Sequence, residues 1–296
     1  MGATILKTAV IVATVNRQDH LARLIRDLSQ QTVRPDVVLV SAPEAKDLCA
    51  GIEGYVGWVV TIIGRRGASA QRNAALDHVP SDTDFVFFFD DDMTLRNDYI
   101  ENAISAFAVS GEIVGLTGNV LLDGAGSGRP VSFPEADEAF VLSFESPSEI
   151  STKVAKLYGC NFAVRLNAAT DLRFDERLPL YSWLEDLDFS KRLAQRGALV
   201  REFTCFGVHH GSPSGGRTQH LRFGYSQITN PVYLWRKGSI KSANAAVLIF
   251  RPLLANLRGA LSGDSKGARR ARLKGNAMSV ADLVRGRLTP ERITTF

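Results

Sequence analysis

Two spacings of apolar residues alternate along the first 120 positions. "TAVIVAT" is a compact β-branched run and reads as a buried strand. "DHLARLIRDLSQQ" follows, with Leu21, Leu24, Ile25 and Leu28 at i, i+3, i+4 and i+7 and Asp19 near its start, which is one apolar stripe along a helix. "DVVLV" and "GWVVTII" are further strands, and Ser69 opens the helix "SAQRNAALDHV". "DFVFFF" is a fourth strand, apolar at successive positions as a central parallel strand must be. Strands alternating with helices predict a doubly wound α/β sheet, mostly parallel, with helices on both faces.

The pattern then loosens. "DGAGSGRPVSFPEA" (residues 123–136) is rich in Gly, Pro and Ser and reads as a mobile loop. Its Gly124, Gly126 and Gly128 lack the strand-to-helix frame of a dinucleotide fingerprint. "YGCNFAVRL" is a later strand, "WLEDLDFSKRLAQRG" an amphipathic helix closed by Gly197, and "ALVREFTCFGV" a strand running into "HHGS". From about residue 217 the chain is helical and basic. This divides it into an α/β domain at 1–230 and a helical extension at 231–296, with no internal repeat.

Hydrophobic content of 45% and charged content of 22% are those of a folded protein. The scattered cysteines Cys49, Cys160 and Cys205 have no CxxC spacing, which argues against a disulfide framework and for a reducing cytosol. The start "MGATILKTAVIVAT" lacks the parts of a signal peptide, and Leu6 stands where a myristoylation motif needs Ser or Thr. The apolar stretch "AAVLIF" falls far short of the ~20 residues of a spanning helix, so a cytoplasmic chain without a transmembrane segment is expected. Charge is unevenly spread: residues 1–200 hold 19 Lys+Arg against 27 Asp+Glu, and residues 201–296 hold 16 against 4.

The chemistry concentrates in four places. Asp90, Asp91 and Asp92 follow the fourth strand, where ligands of such sheets bind. Three adjacent carboxylates stay ionised together only beside a cation. Side chains alternate along an extended stretch, so Asp90 and Asp92 face one side, and oxygen ligands there suit Mg²⁺ or Mn²⁺. The competing reading is a turn that caps a helix near Asn97. In "SWLEDLDFSKR", Glu185, Asp186 and Asp188 lie at a helix start, where the helix dipole favours carboxylates, or where one serves as a general base. His209 and His210 end a strand beside a glycine-rich loop and are candidate extra metal ligands. Arg65, Arg66 and Arg72 surround a helix start whose free N–H groups would suit a diphosphate, or they are solvated surface.

Taken together, these motifs resemble those of the inverting glycosyltransferases of family 2, of the bacterial polysaccharide-assembly type. "VIVATVNRQDHLARLIRDLSQQTVRP" is similar to the family's opening strand, Thr-x-Asn-Arg turn and Leu-rich helix. "ASAQRNAAL" resembles its Ala-Arg-Asn segment, "FFFDDDM" its Asp-x-Asp metal motif, "LRFDERLPLYSWLEDLDFSKRLAQRG" its Glu-Asp signature and "VHHGS" its histidine segment. The resemblance implies a GT-A fold and a nucleotide-diphosphate sugar donor. It places Thr14, Asn16 and Arg17 by the nucleotide, Asp90 and Asp92 on the cation, and Asp91 toward ribose or sugar. His209 or His210 would complete the metal shell, Arg72 would lie by the phosphates or donor, and Asp186, paired with Glu185, would be the general base.

One departure stands out. Where the family usually has Asp-Asp-Gly-Ser after the second strand, this chain reads "VLVSAPEA", so the base would be met by Ser41, Glu44 or main chain, and the nucleotide is left open. The basic helical end is either a solvated extension or a surface that docks on anionic lipid at the inner face of the plasma membrane, which would suit a lipid-linked saccharide acceptor. Nucleic acid is not an expected partner, because no stacking or groove-reading motif accompanies the charge. Two rivals remain: "FFFDDDMT" also fits a haloacid-dehalogenase-like phosphatase using Asp90 and Asp92, and the altered "SAPE" fits an inactive sugar-nucleotide-binding relative.

Overall fold

The structure, a computed structural model, describes residues 6–143, 150–212, 218–261 and 266–296. Strand β1 (Thr8–Ala13) lies between β2 (Val37–Ala42) and β4 (Phe85–Asp90), parallel to both, and β3 (Val59–Ile63) extends β2 in the same sense. Helices α1 (Gln18–Ser29) and α2 (Ala68–Leu76) make the crossovers. Here the alternation in the sequence reads through directly to structure.

Beyond β4 the sheet turns mixed. It runs on through β8 (Asn161–Arg165), β6 (Ile113–Asp123), β9 (Ala198–His209) and β5 (Met93–Leu95), with β7 (Ser151–Lys153) also on β9. β8 is antiparallel to both β4 and β6, while β6 and β9 are parallel. β9 has twelve residues, enough for β7 to pair near its start and β5 at its end.

Strand β4 is buried on both faces. Phe85, Phe87 and Phe89 join a core with α1 and with α3 (Tyr99–Val109). Val86 and Phe88 join the opposite core, which includes Phe162, Phe174 and Phe189 of α6 (Glu185–Leu193). Phe88 stacks on Phe162 with ring centres 4.6 Å apart. Phe174 stacks on Phe189 at the same distance. This packing on both sides fixes where the carboxyl end of β4 lies.

The segment 123–136 corrects the expected mobile loop. α4 (Gly124–Ser127) is capped by the Asp123 carboxylate, which accepts from Ala125 N. α5 (Phe133–Leu142) opens with a capping box between Ser132 and Glu135. The "SFPE" spacing already carried that signal. The glycine-rich stretch after Ser212 lies largely outside the described residues.

At the C-terminal end, α7 (His220–Lys237), α8 (Ser242–Leu261) and α9 (Lys266–Val284) pack together. The expected division at 230/231 falls inside α7, between Asn230 and Pro231. Leu234 of α7, Ile240 and Ala245 of α8 form a small core with Leu178 and Leu184, which seats the helices beside the start of α6.

Candidate active site

Strand register brings the acidic groups together. Across β6 and β9, Asp123 pairs with His209; across β5 and β9, Met93 pairs with His209. Asp90 is the last residue of β4, and its N–H donates to the Cys160 carbonyl at 2.9 Å. Thus the ends of β4, β6 and β9 and the turn before β8 meet at one edge, as the doubly wound rule requires.

The triplet alternates as expected. Oxygens of Asp90 and Asp92 and a ring nitrogen of His209 lie within 4.8 Å of one another. Asp91 points the other way, buried, accepting from the Thr14 hydroxyl at 2.8 Å and from Arg17 Nη1 at 2.7 Å. The helix-cap reading fails, because α3 begins at Tyr99 with Asp98 at its N-cap.

The donor set fits a hard divalent cation. Asp92 is fully buried, and its Oδ1 accepts no hydrogen bond, although Arg17 Nη1 lies at 3.1 Å and His209 Nε2 at 3.4 Å. The ion pair with Arg17 offsets part of the cost of burying this oxygen, and a cation held with Asp90 and His209 would offset more. His209 Nδ1 donates to Asp123 Oδ1 at 3.0 Å, and Tyr158 donates its hydroxyl to Asp123 Oδ2 at 2.8 Å. With Nδ1 occupied, Nε2 is the ring nitrogen that faces Asp90 and Asp92, the orientation that carboxylate-held metal histidines have.

His210 is the correction. Its Nδ1 donates to the Val131 carbonyl at 2.7 Å and its Nε2 accepts from the Thr94 hydroxyl at 2.7 Å. Both nitrogens are used, and the ring packs against Phe133 and His20 rather than toward the carboxylates. Alternation along β9 allows one histidine to face the cluster, and it is His209.

Arg72 sits between the two acidic motifs. It is 2% exposed and donates to Asp90 Oδ1 at 2.7 Å, Glu185 Oε1 at 2.8 Å and the Gly159 carbonyl at 2.9 Å. A guanidinium so occupied holds the carboxylates of both motifs in place. The expected free amides at the start of α2 are also spent: Ala68 N donates to the Leu180 carbonyl and Ser69 N to the Ser182 hydroxyl. Gly67 makes this approach possible, since it has φ +105° and a Cβ there would lie 2.9 Å from Leu180 N. Arg65 and Arg66 are exposed and paired with Glu176 and Glu44.

Asp186 is half-buried at the first turn of α6. Its Oδ2 accepts from Gly159 N at 3.2 Å and its Oδ1 from Leu187 N at 2.8 Å, so two backbone amides orient it. The segment before it carries Leu180 (φ 60°), Ser182 (φ 53°) and Leu184 (φ 77°), three left-handed residues that are not glycine. Each costs of order 1 kcal/mol or more. This strain aims the Glu185–Asp186 pair, and nothing in "LYSWLED" announces it. Asp188 is buried away from the pair, bonded to Arg192, Lys237 and Ser239, and serves the packing of α7 on α6.

Charge follows burial. Desolvation pushes the Asp91 carboxyl up to about 6 against the pull of Arg17. Burial opposes the charge on Asp92 too, but the His209 bond and Arg17 hold its carboxyl well below the usual range. Asp123 is drawn down to about 2 by His209 and Tyr158, which outweigh burial. Burial, then the neighbouring Asp186, push Glu185 up to about 8 in spite of Arg72.

Asn16 adopts a left-handed conformation and its N–H donates to Asp47, while Arg17 also reaches the Ser212 carbonyl at 3.0 Å. Ser41, expected at the nucleotide base, is fully buried, and its carbonyl accepts from Gln71 and Thr14 N. Glu44 is exposed at the rim, beside Lys46 and Arg66. Sequence reasoning missed Asp123 and Tyr158. Asp123 ends an apolar strand just as Asp90 does, and that was the available signal.

Residues 9–172 match glycosyl transferase family 2. No curated protein matches the chain. Among solved structures it is similar to S. aureus TarS, with 19% identity and a TM-score of 0.52, over 76% of this chain and 40% of that one. It therefore spans less than half of that structure's length. TarS 1–349 in complex with UDP gives 18% identity and a TM-score of 0.51, over 82% of this chain and 70% of that one. The mannosyltransferase PcManGT from Pyrobaculum calidifontis, in complex with GDP-Man and Mn²⁺, gives 15% and 0.55, over 93% and 75%. At these identities the likeness is one of fold, and the fold is GT-A. The family match sets the phosphatase pattern aside.

Proposed function

The chain belongs to glycosyl transferase family 2 and is a glycosyltransferase; from that premise we propose that it transfers a sugar, with inversion, from a nucleotide-diphosphate donor to a hydroxyl of a saccharide or lipid-linked saccharide. Asp186 is the general base, and Asp90, Asp92 and His209 hold a divalent cation, Mn²⁺ or Mg²⁺. The observation that carries this reading is the linkage between the two acidic motifs: Arg72 joins Asp90 to Glu185 and the Gly159 carbonyl, and Gly159 N joins Asp186. The UDP named for TarS and the GDP-Man named for PcManGT support the donor class.

When bound, the cation would neutralise charge on the departing nucleoside diphosphate. The chain's own residues do the rest. Asp186 takes the proton from the acceptor hydroxyl as that oxygen attacks the anomeric carbon from the face opposite the leaving group. General-base help of this kind is worth ~10²–10⁴-fold. Asp123 fixes the His209 tautomer, and Arg72 keeps Asp90 and Glu185 apart and oriented. Thr14, Asn16 and Arg17 border the nucleotide, with Ser41 behind them.

A panel of uridine, thymidine and guanosine diphosphate sugars, with Mn²⁺ or with chelator, tests this by release of nucleoside diphosphate. Release that needs both one donor and the metal supports the reading. No release with any donor, alongside intact nucleotide binding, overturns it in favour of an inactive relative.

A further inference from the structure

Helices α8 and α9 bury small and polar residues where packed helices usually bury apolar ones. The buried residues of α9 are Gly275, Asn276, Ser279 and Asp282, and those of α8 are Ala245, Asn256 and Ala260. Asn256 donates to Gln227 at 2.8 Å and to Asn276 at 3.1 Å, Asn276 donates to the Gly224 carbonyl at 2.6 Å, and Thr229 bonds Ser279 at 2.7 Å. Gly224 and Gly275 let the backbones of α7 and α9 touch, since a Cβ on either would lie 2.1 Å from a carbonyl oxygen of the facing helix. Small residues and amide ladders between helices are how helices associate where the surroundings are apolar.

The outside of α8 completes the pattern. Val247, Phe250, Leu254, Leu257 and Leu261 recur at steps of three and four and are 46–83% exposed. Arg251 and Arg258 flank this stripe, also exposed. α8 has no carboxylate, and α9 has one, Asp282, buried and bonded to Tyr225. Among the described residues no helix is long and apolar enough to cross a membrane.

We propose that the outer face of α8 lies in the interface of an anionic lipid bilayer, with its apolar stripe among the acyl chains and its arginines at the headgroups. A second copy of the chain fits this face poorly, because like-charged arginines would then meet. An apolar stripe flanked only by cations is what an interfacial helix needs, gaining from apolar burial and from headgroup attraction together. The proposal stands apart from the transfer reaction, and its failure would leave that reading untouched.

Flotation of the full chain with phosphatidylglycerol vesicles, against phosphatidylcholine vesicles, tests it. Binding should favour phosphatidylglycerol and weaken with salt. The Phe250→Ser, Leu254→Ser pair should lower the partition roughly thirtyfold or more. The Arg251→Gln, Arg258→Gln pair should do so by roughly thirtyfold. Both pairs are at exposed positions, and circular dichroism checks that they remain folded. Equal partition into both lipids, or unchanged partition of the serine pair, would overturn the proposal. So would a sedimenting dimer that the serine pair dissociates, since the face would then be covered by a second copy.

Discussion

The cleft at the strand ends and the helices at the C-terminal end bury polar groups for opposite reasons. In the cleft, an apolar sheet with two aromatic cores delivers carboxylates to a single edge, and Asp92 is driven fully out of solvent with one oxygen unbonded. In α8 and α9, small residues and amides face inward onto α7, and the leucines and phenylalanine of the α8 stripe face outward. The first arrangement fits a cation, and the second fits an apolar surface of the kind proposed above. Buried polarity therefore says little until its partners are named. In the cleft the partner we propose is a ligand, and in the helices it is the surroundings.

The sharpest way to break this comparison is at Asp186. Asp186→Asn keeps an acceptor for Gly159 N but removes the base, so turnover should fall ~10²–10⁴-fold with donor affinity unchanged by calorimetry. Vesicle binding should not move. An unimpaired rate would remove Asp186 from the chemistry, and lost lipid binding would mean that the two regions are coupled.

The cation seat is a graded test. Asp92→Asn removes a ligand oxygen, and Mn²⁺ affinity, read by electron paramagnetic resonance, should fall by at least about a hundredfold. Asp123→Asn leaves all three ligands in place but weakens the hold on His209, which is worth ~10–100-fold in affinity. If Asp123→Asn cost more than Asp92→Asn, the carboxylate of Asp123 would itself be a ligand. His210→Asn should leave metal affinity unchanged, because His210 bonds Thr94 and Val131.

Some of this was legible in the chain and some was not. Local periodicity is enough for β1, β2, β4 and α1, which bury their apolar residues against their neighbours. It is enough for Asp90 and Asp92 to share a side, since alternation is a local rule. The choice between His209 and His210 is not local: it depends on β5 and β6 flanking the end of β9 in a particular register. The part of Arg72 in joining the two acidic motifs is not legible, because nothing nearby in sequence shows that Asp90 and Glu185, 18 and 113 residues away, converge on it. Helices α8 and α9 gave a partial signal, a basic region with interleaved apolar residues, but which face turned outward had to come from packing.

Glu185 gives the smallest and most discriminating prediction. Its carboxyl is buried beside Asp186, with Arg72 as the compensating cation among the described residues. A carboxyl raised to about 8 when folded, against about 4.3 in an unfolded chain, favours folding least where it must ionise. The folded state binds more protons than the unfolded one between those values. Stability from this group is therefore greatest below about 4.3 and declines as pH rises towards 8. Glu185→Gln keeps an oxygen for Arg72 and cannot ionise, so its melting temperature should lose that part of the decline and exceed the wild type by a few degrees at pH 8. Its metal affinity should change little, because Arg72 still bonds Asp90. If the variant is instead less stable at every pH, the Arg72–Glu185 ion pair outweighs desolvation, and the cleft is held together by its charges rather than in spite of them.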